Sequence, residues 1–390
     1  MNPIKKNRIE SIDLLKGIVM VIMALEHVRT FFHNTEYYYA ATDLTRASLG
    51  IFLTRSLSNF CAPAFSLLAG TSAYFTGIKK SKAALSGFLL KRGIWLVCTE
   101  LIIITFGWYF DPQFRNMELQ VIWSLGISMI LLSALIYLPK KIIFLFSCIL
   151  IFGHNLLDNI HFNGSIFWAL LHEQHLFNLS KNLSIDVYYP VIPWVGVMSL
   201  GYCIGPLYNN IMYPLKRRKY LNIAGIAAIV LFLLLRVLNI YGDPSKWEQG
   251  NTGSLTFMSF INLTKYPPSL LFLLFTLGAS FIFLANAEYI KGKVVDFFTT
   301  FGRVPFFYYI IHIYLIHLLA MITAQLTGYG WQQMICPVWV NSVPGLQGFG
   351  FSLPIVYLIW VGIIIVMYPL CKRFDTYKMN NKHKWWLSYL

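Results

Sequence analysis

The residues best suited to chemistry lie within the first long apolar segment of the sequence. Residues 8–33 read RIESIDLLKGIVMVIMALEHVRTFFH, and the apolar part of the stretch is interrupted by Asp13, Lys16, Glu26, His27 and Arg29. A helix that spans a bilayer needs about 20 mostly apolar residues, and this segment is long enough. Ionisable groups inside such a helix are costly unless they face protein or a water-filled cavity. We therefore interpret the segment as a membrane helix that bears part of a functional site.

Further polar side chains interrupt the later apolar segments. Successive spans run in opposite directions through the membrane. Once this is taken into account, the polar side chains of the spans fall in the outer half of the membrane, and Glu100 lies somewhat deeper. The set is His27, Arg29, Arg55, Asn59, Glu100, His154, Asp158, Lys265, His312 and His317. So many polar groups at one level are expensive without a shared hydrated cavity. The sequence therefore predicts a polar chamber between several helices.

Two ion pairs are predicted around this chamber. Glu26 and Arg29 are three residues apart, so both lie on one face of a helix and are expected to pair. A buried carboxylate at Glu100 needs a cation or a hydrogen-bond donor as a partner. Arg55 is the predicted cationic partner.

A third pairing is predicted near the end of the fifth apolar segment. His154 and Asp158 are four residues apart, a spacing that suits a hydrogen bond between imidazole and carboxylate. Two ligands alone are weak support for zinc. The HEQH stretch at 172–175 is not a zinc-protease signature, which needs two residues between the glutamate and the second histidine. No metal site is predicted.

A histidine beside donors and carboxylates suits acyl transfer. A neutral imidazole takes a proton from an attacking hydroxyl or amine, or carries the acyl group transiently. A carboxylate would fix its tautomer, and Arg or Asn donors would stabilise an oxyanion. Two other hypotheses stay open. A multi-pass transporter or flippase of an envelope metabolite uses similar groups, and a non-catalytic assembly partner would leave the polar chamber unexplained.

The composition is that of a polytopic membrane protein. Hydrophobic residues make up 57% of the 390 residues and charged residues 12%, and the mean hydropathy is +0.60; soluble domains are usually near 25% charged. We predict an all-α membrane bundle that forms a single domain over residues 1–390. Its ten predicted spans are 11–33, 48–77, 86–110, 119–138, 142–158, 187–207, 220–240, 266–288, 297–326 and 351–371.

The positive charge follows the predicted topology. With the N-terminus in the cytoplasm, 19 of the 31 Lys and Arg residues fall in inner segments and five in outer loops. Positive residues are concentrated on the cytoplasmic side of a membrane, so both termini are predicted to be cytoplasmic. This distribution accounts for the net charge of +15 without nucleic acid. The sequence also shows no P-loop, Rossmann glycine motif or RNA-binding motif.

Four stretches resemble a bacterial branch of the heparan-alpha-glucosaminide N-acetyltransferase-like membrane family: SIDLLKGIVMVIMALEH, TRSLSNFCAPAFSLLAGTSAY, FGWYFDP and the terminal WWLSYL. The resemblance covers essentially the whole chain. It implies a fold of ten to eleven helices, cytoplasmic acetyl-CoA as the donor, and transfer to a sugar on the far side. It also implies a multi-pass protein in the lipid of a bacterial inner membrane, and it makes a homodimer an expectation.

The chain departs from the family pattern at three places. The usual arginine before the glycine of the first helix is Lys16, which keeps the charge but loses the bidentate fork. Relatives have a histidine in the loop after the first helix, whereas the loop TEYYYAATDLT has none. Asn59 stands where relatives have a carboxylate. The catalytic histidine is therefore not assigned by position; His27 is our substitute and His33 the second choice.

The resemblance implies a role for each of these residues. His27 is predicted to act as general base or transient acyl carrier, while Arg55, Asn59 and Glu100 orient or stabilise the reacting groups. The phosphates of acetyl-CoA are expected at an inner basic rim formed by Asp13, Lys16, Lys91 and Arg92. An ion pair of Asp13 and Lys16 that snorkels to the interface is the other interpretation of that rim. The residues predicted to bind the carbohydrate acceptor are Arg29, His154, Asp158, Lys265 and His312.

Overall fold

The computed structural model describes residues 9–209 and 212–388. The predicted basic arm, with Lys5, Lys6 and Arg8, and the last two residues of the WWLSYL stretch lie outside the described residues. The described chain is mostly helical, as the sequence predicts. Its α-helices are α1 (Glu10–Phe32), α2 (Leu49–Leu57), α3 (Cys61–Gly77), α4 (Lys82–Thr99), α5 (Thr105–Tyr109), α6 (Val121–Leu135), α7 (Lys140–Gly153), α8 (Ile166–Leu171), α9 (Val191–Ile204), α10 (Pro214–Leu238), α11 (Gly253–Ile261), α12 (Leu270–Asn286), α13 (Lys293–Arg303), α14 (Pro305–Leu326) and α15 (Leu353–Asn380).

Each predicted span contains helix, but three are interrupted. A 3-10 turn, Ser58–Phe60, separates α2 from α3, and a π-helical segment, Glu100–Ile104, separates α4 from α5. The ninth span breaks at Val304, because Pro305 disfavours a helical conformation in the residue before it and begins a new helix, α14. Among the described residues, six helices are long and apolar enough to cross a membrane. The chain is a multi-pass membrane protein.

Three short strands form a sheet that the all-α prediction missed. The strands are β1 (Asn116–Leu119), β2 (His175–Ser180) and β3 (Leu183–Val187). β3 is central, parallel to β1 and antiparallel to β2. Strands of four to six residues give little alternation to read in the sequence. We call the end of the bundle that carries this sheet the sheet end.

Helix α1 lies at the centre of the bundle and packs against α3, α12, α13, α14 and α15. The backbones of α1 and α13 touch through glycine. A Cβ on Gly17 would lie 1.8 Å from the carbonyl oxygen of Phe298, and one on Gly302 would lie 1.8 Å from that of Asp13. Small residues permit such close approach between membrane helices. This contact fixes the rotation of α1 and hence the direction in which its polar side chains point.

Candidate active site

Two histidines from different helices meet in the half of the bundle near the sheet end. Nδ1 of His27, on α1, lies 2.8 Å from Nε2 of His312, on α14. The two rings are stacked with centroids 4.9 Å apart, and the rings of Trp108 and His27 form a T-shaped pair with centroids 4.7 Å apart. His312 is fully buried. The structure thus places His312 behind His27, as its hydrogen-bond partner.

The backbone decides which nitrogen of His27 carries a proton. Nδ1 of His312 lies 2.8 Å from the carbonyl oxygen of Tyr308, which only accepts hydrogen bonds. Nδ1 of a neutral His312 therefore donates, and its Nε2 has a lone pair. That lone pair accepts from Nδ1–H of His27, so a neutral His27 has its own lone pair on Nε2. This is the tautomer that a general base requires.

His27 lines a cavity of about 110 Å³ that we call the histidine chamber. The chamber lies between α1, α3 and α14, and residues from the sheet-end connections close it. Its polar lining consists of Glu26, His27, Thr30, Ser58, Gln120, Tyr188, Tyr189, Lys265, Tyr266 and Tyr309. A reacting group there is surrounded by hydroxyl, amide and ammonium donors.

A buried ion cluster borders the chamber. Glu26 pairs with Arg29 at 2.9 Å and with Arg55 at 3.1 Å, and Arg29 also pairs with Glu36. The predicted pairing of Glu26 with Arg29 is confirmed. Arg55 also donates to Ser58 at 2.7 Å and to Asn59 at 3.4 Å. The cluster ties α1 to α2 and to the turn that follows α2.

The predicted pairing of Arg55 with Glu100 is wrong. Glu100 is 1% exposed, and its Oε2 accepts from the backbone N–H of Trp123 at 2.8 Å. Trp123 is in the first turn of α6, where backbone N–H groups have no partner within the helix. The π-helical turn at Glu100 directs the carboxylate to that helix end. Glu100 does not line the histidine chamber.

A second cavity, of about 190 Å³, lies next to the chamber and is called the lysine cavity. Lys16, Ser72 and Arg92 are among its polar lining residues, and the remaining walls are mostly apolar. Lys16 precedes His27 by eleven residues, about 16 Å along α1. The two cavities share three lining residues, Phe65, Val121 and Tyr309.

Two predicted members of the basic rim lie elsewhere. Lys91 is exposed and Asp13 is buried, and neither lines the lysine cavity. Lys91 and Arg92 are adjacent in α4, so their side chains point about 100° apart around the helix. Only one of them turns towards the bundle. The structure therefore brings Lys16 and Arg92 together and leaves Lys91 at the surface.

The family model for the catalytic part of heparan-alpha-glucosaminide N-acetyltransferase matches residues 8–245, more than half of the chain. The chain belongs to this family. A search of curated proteins gave no match. Membership indicates a membrane acetyltransferase. The matched region contains the His27 side of the chamber, whereas Lys265 and His312 follow it in the sequence.

The other sequence-predicted residues of this acetyltransferase-family chain are divided between the chamber and its surroundings. Lys265 lines the chamber, whereas Arg55 and Asn59 line a neighbouring cavity at the sheet end. Arg29 is 3% exposed and lines neither cavity. His33, the second choice for the catalytic histidine, is buried, and its Nδ1 accepts from the backbone N–H of Thr35 at 3.2 Å.

The predicted pair of His154 and Asp158 is also wrong. His154 contacts the carbonyl oxygen of Pro268 at 2.8 Å, and Asp158 contacts Nε2 of His172 at 3.0 Å. Helix α7 ends at Gly153 and continues as a 3-10 turn, which removes the i, i+4 alignment. His154 holds the connection before α12, Asp158 holds the end of α8 through His172, and neither residue lines the histidine chamber. No group of three potential metal ligands occurs among the described residues.

Sequence reasoning missed the aromatic wall of the chamber. Tyr266 lies 5.4 Å from Tyr188 and 5.3 Å from Tyr189, measured between ring centroids, and Trp339 lies 6.2 Å from Tyr188. The YYP and KYPP stretches are the signals that precede α9 and α12. The proline of the first stretch favours irregular backbone, and the second stretch places Tyr266 at the rim of a span; neither shows that the two stretches meet.

A buried acid supports the chamber from the sheet. Tyr109 and Gln120 both donate to the carboxyl group of Glu118, on β1. Gln120 lines the chamber directly. Burial raises the pKa of Glu118 to about 8. The carboxyl group is therefore largely protonated at neutral pH, and it holds the Gln120 amide in place.

Replacing Glu118 with glutamine is expected to flatten the pH dependence of thermal stability. Folding raises the pKa of Glu118 from 4.5 to about 8. Its stabilising contribution is therefore fully present below pH 4.5 and is lost as the pH rises through about 8. The loss reaches about 1.4 kcal/mol for each pH unit. Tm of the purified proteins at pH 5 and pH 8 measures the effect, with the exposed Glu248→Gln as control. An equal fall in Tm for Glu118→Gln and wild type contradicts the prediction.

Proposed function

We propose that this chain transfers an acetyl group from acetyl-CoA to an amine or hydroxyl of a sugar acceptor. The donor occupies the lysine cavity and the acceptor the histidine chamber. The observation that carries this proposal is the contact between the two cavities at Phe65, Val121 and Tyr309. A donor with an anionic head and a long arm fits the first cavity, since cationic groups at one end are followed by apolar walls.

The proposed topology places the lysine cavity towards the cytoplasm and the sheet end towards the outside. The distribution of Lys and Arg favours ten crossings with both termini in the cytoplasm, as the sequence predicts. Acetyl-CoA then enters from the cytoplasm and the sugar from the other side. We propose the bacterial inner membrane as the location and one domain over the whole chain. The homodimer stays a prediction.

His27 is the proposed general base. Its Nε2 takes the proton of the acceptor amine or hydroxyl while that group attacks the thioester carbonyl carbon. The carbon–sulfur bond breaks, the thiolate of CoA leaves, and the proton on Nε2 passes to the thiolate. His312 is a positioning residue, since it holds the tautomer of His27. Tyr309 lines both cavities, and its hydroxyl is the proposed donor to the oxyanion.

The experiment that tests the proposal uses purified protein in proteoliposomes. Radiolabelled acetyl-CoA is supplied on the cytoplasmic side and glucosamine, as a probe acceptor, on the opposite side, and labelled sugar is counted. CoA binding is measured separately by titration calorimetry. Wild type is expected to bind CoA and to label the sugar. Absence of both binding and transfer overturns the proposal, and glucosamine flux without acetyl-CoA supports the transporter hypothesis instead.

Variants of the lysine cavity test where the donor binds. Lys16→Gln and Arg92→Gln are each expected to weaken CoA binding about tenfold or more, because a charge-assisted hydrogen bond contributes about 1.5–3 kcal/mol. Lys91→Gln is the matched control, since Lys91 is adjacent in sequence but exposed. A loss that is equal in Lys91→Gln and Arg92→Gln would place the donor outside the lysine cavity.

A further inference from the structure

A third cavity, of about 260 Å³, lies at the sheet end beside the histidine chamber, and we call it the cation cavity. It shares two lining residues with the chamber, Lys265 and Tyr266. Arg55 and Lys265 supply its positive charge, and Asn59, Gln174 and Asn262 supply neutral amides. No carboxylate occurs among its described lining residues. A molecule that reacts in the chamber therefore has a cationic compartment next to it.

The two cations of this cavity are held unusually close together. Arg55 Nη1 lies 2.7 Å and Lys265 Nζ 3.3 Å from the same atom, Oγ of Ser58. The two nitrogens are therefore no more than 6.0 Å apart. Like charges at that distance repel, and partial burial reduces the screening by water. Such a pair is stabilised when an anion lies between its members.

The nearby carboxylates do not neutralise the pair. Glu26 is shared between Arg29 and Arg55, and Glu36 pairs with Arg29, so two carboxylates serve the two arginines. Lys265 makes no ion pair with any described residue; its ammonium group lies 5.4 Å from the ring centroid of Tyr266. One cation of the three is therefore left without a carboxylate, and it is the one that lines both cavities.

We propose that the cation cavity binds a negatively charged group, a phosphate, sulfate or carboxylate, of the acceptor whose amine or hydroxyl lies in the histidine chamber. This inference rests on the proposed function, because it names the class of acceptor. Bidentate and charge-assisted hydrogen bonds to the anion come from Arg55 and Lys265. The amides of Asn59 and Gln174 supply further donors for its remaining oxygens. A phospholipid headgroup offers the same chemistry and is the other source of the anion.

The test compares two probes that differ by one phosphate, glucosamine 6-phosphate and glucosamine. Their binding to the full chain is measured by titration calorimetry in nanodiscs of phosphatidylcholine, without acetyl-CoA. The phosphorylated probe is expected to bind about tenfold more tightly or better, as a gain of one charge-assisted contact predicts. Lys265→Gln is expected to remove the difference, Lys265→Arg to retain it, and the exposed Lys246→Gln to leave it unchanged.

Each outcome bears on the proposal separately from the acetyl-transfer assay. Equal affinity of wild type for the two probes overturns it, and so does a preference that survives in Lys265→Gln. Nanodiscs that contain phosphatidylglycerol distinguish the two sources. If anionic lipid abolishes the preference of wild type for the phosphorylated probe, a headgroup occupies the cavity and the acceptor assignment is overturned. A preference for the phosphorylated probe without acetyl transfer supports the anion site and rejects the proposed reaction. Acetyl transfer without that preference supports the reaction and rejects the anion site.

Discussion

Glutamine in place of His27 is expected to lower the rate of acetyl transfer by about 10³-fold, within the range that general acid–base catalysis contributes. The amide of glutamine still offers a donor to Nε2 of His312, which now accepts from Nδ1 of His27 at 2.8 Å. It offers no basic nitrogen to the acceptor. CoA binding at the lysine cavity is expected to stay within twofold of wild type. Single-turnover transfer and CoA titration on the same preparation separate the two effects.

Substitutions of His312 provide the matched test of the same chemistry. His312→Gln keeps an oxygen that accepts from Nδ1–H of His27, whereas His312→Leu removes it. We expect the glutamine variant to retain more activity than the leucine variant, with kcat reduced and CoA affinity unchanged in both. Full activity in His27→Gln would reject the general-base role. Equal activity in the two His312 variants would reject the tautomer argument.

The sequence predicted best what one helix determines by itself. The pairing of Glu26 with Arg29 depends only on a spacing of three residues, and the structure confirms it. The interpretation of the first segment as a helix that bears His27 is equally local, because it depends on the length and composition of that segment alone. The mostly helical, membrane-spanning character of the chain was also predicted, since length and composition alone indicate it; six helices of the described chain are long and apolar enough to cross a membrane.

Partners from different helices were beyond the sequence, because they depend on how helices are rotated and broken. Arg55 was the predicted partner of Glu100, yet the π-helical turn directs Glu100 to the N-terminus of α6, and Arg55 pairs with Glu26 instead. His154 was misassigned for a related reason, because α7 changes to a 3-10 turn at that residue. The sequence indicates how deep a side chain lies in the membrane. Whether that side chain meets a partner depends on how its helix is rotated, which the sequence does not indicate.

The chamber wall shows a second limit of the sequence. Tyr188 and Tyr266 are separated by almost 80 positions in connections without helical or strand periodicity, yet their rings are in contact. Aromatic residues near span ends are also typical of the membrane interface, so composition gave them a sufficient explanation. Tyr188 and Tyr266 become part of one site because the connections at the sheet end bring them together.

Glutamine in place of Glu26 is expected to cause the largest loss of stability of any single polar substitution near the chamber. Glu26 is the shared partner of Arg29 and Arg55, and its removal leaves two buried guanidinium groups with one carboxylate, Glu36. Removing one member of a buried ion pair costs about 3–5 kcal/mol. Tm in detergent and the yield of folded protein measure the effect. Glu10→Gln is the matched control, because Glu10 is on the same helix but exposed.

A second substitution distinguishes charge imbalance from loss of packing. If the unpaired charge of Arg55 causes the loss, Glu26→Gln combined with Arg55→Gln is expected to be more stable than Glu26→Gln alone, with a coupling of about 0.5–3 kcal/mol. Arg29 then keeps Glu36 as its partner, and the cluster is again balanced. A double variant that loses the sum of the two single losses would contradict the charge argument. Arg55 also lines the cation cavity. The double variant is therefore expected to be more stable than Glu26→Gln but to bind a phosphorylated sugar more weakly, which separates the contribution of Arg55 to stability from its contribution to ligand binding.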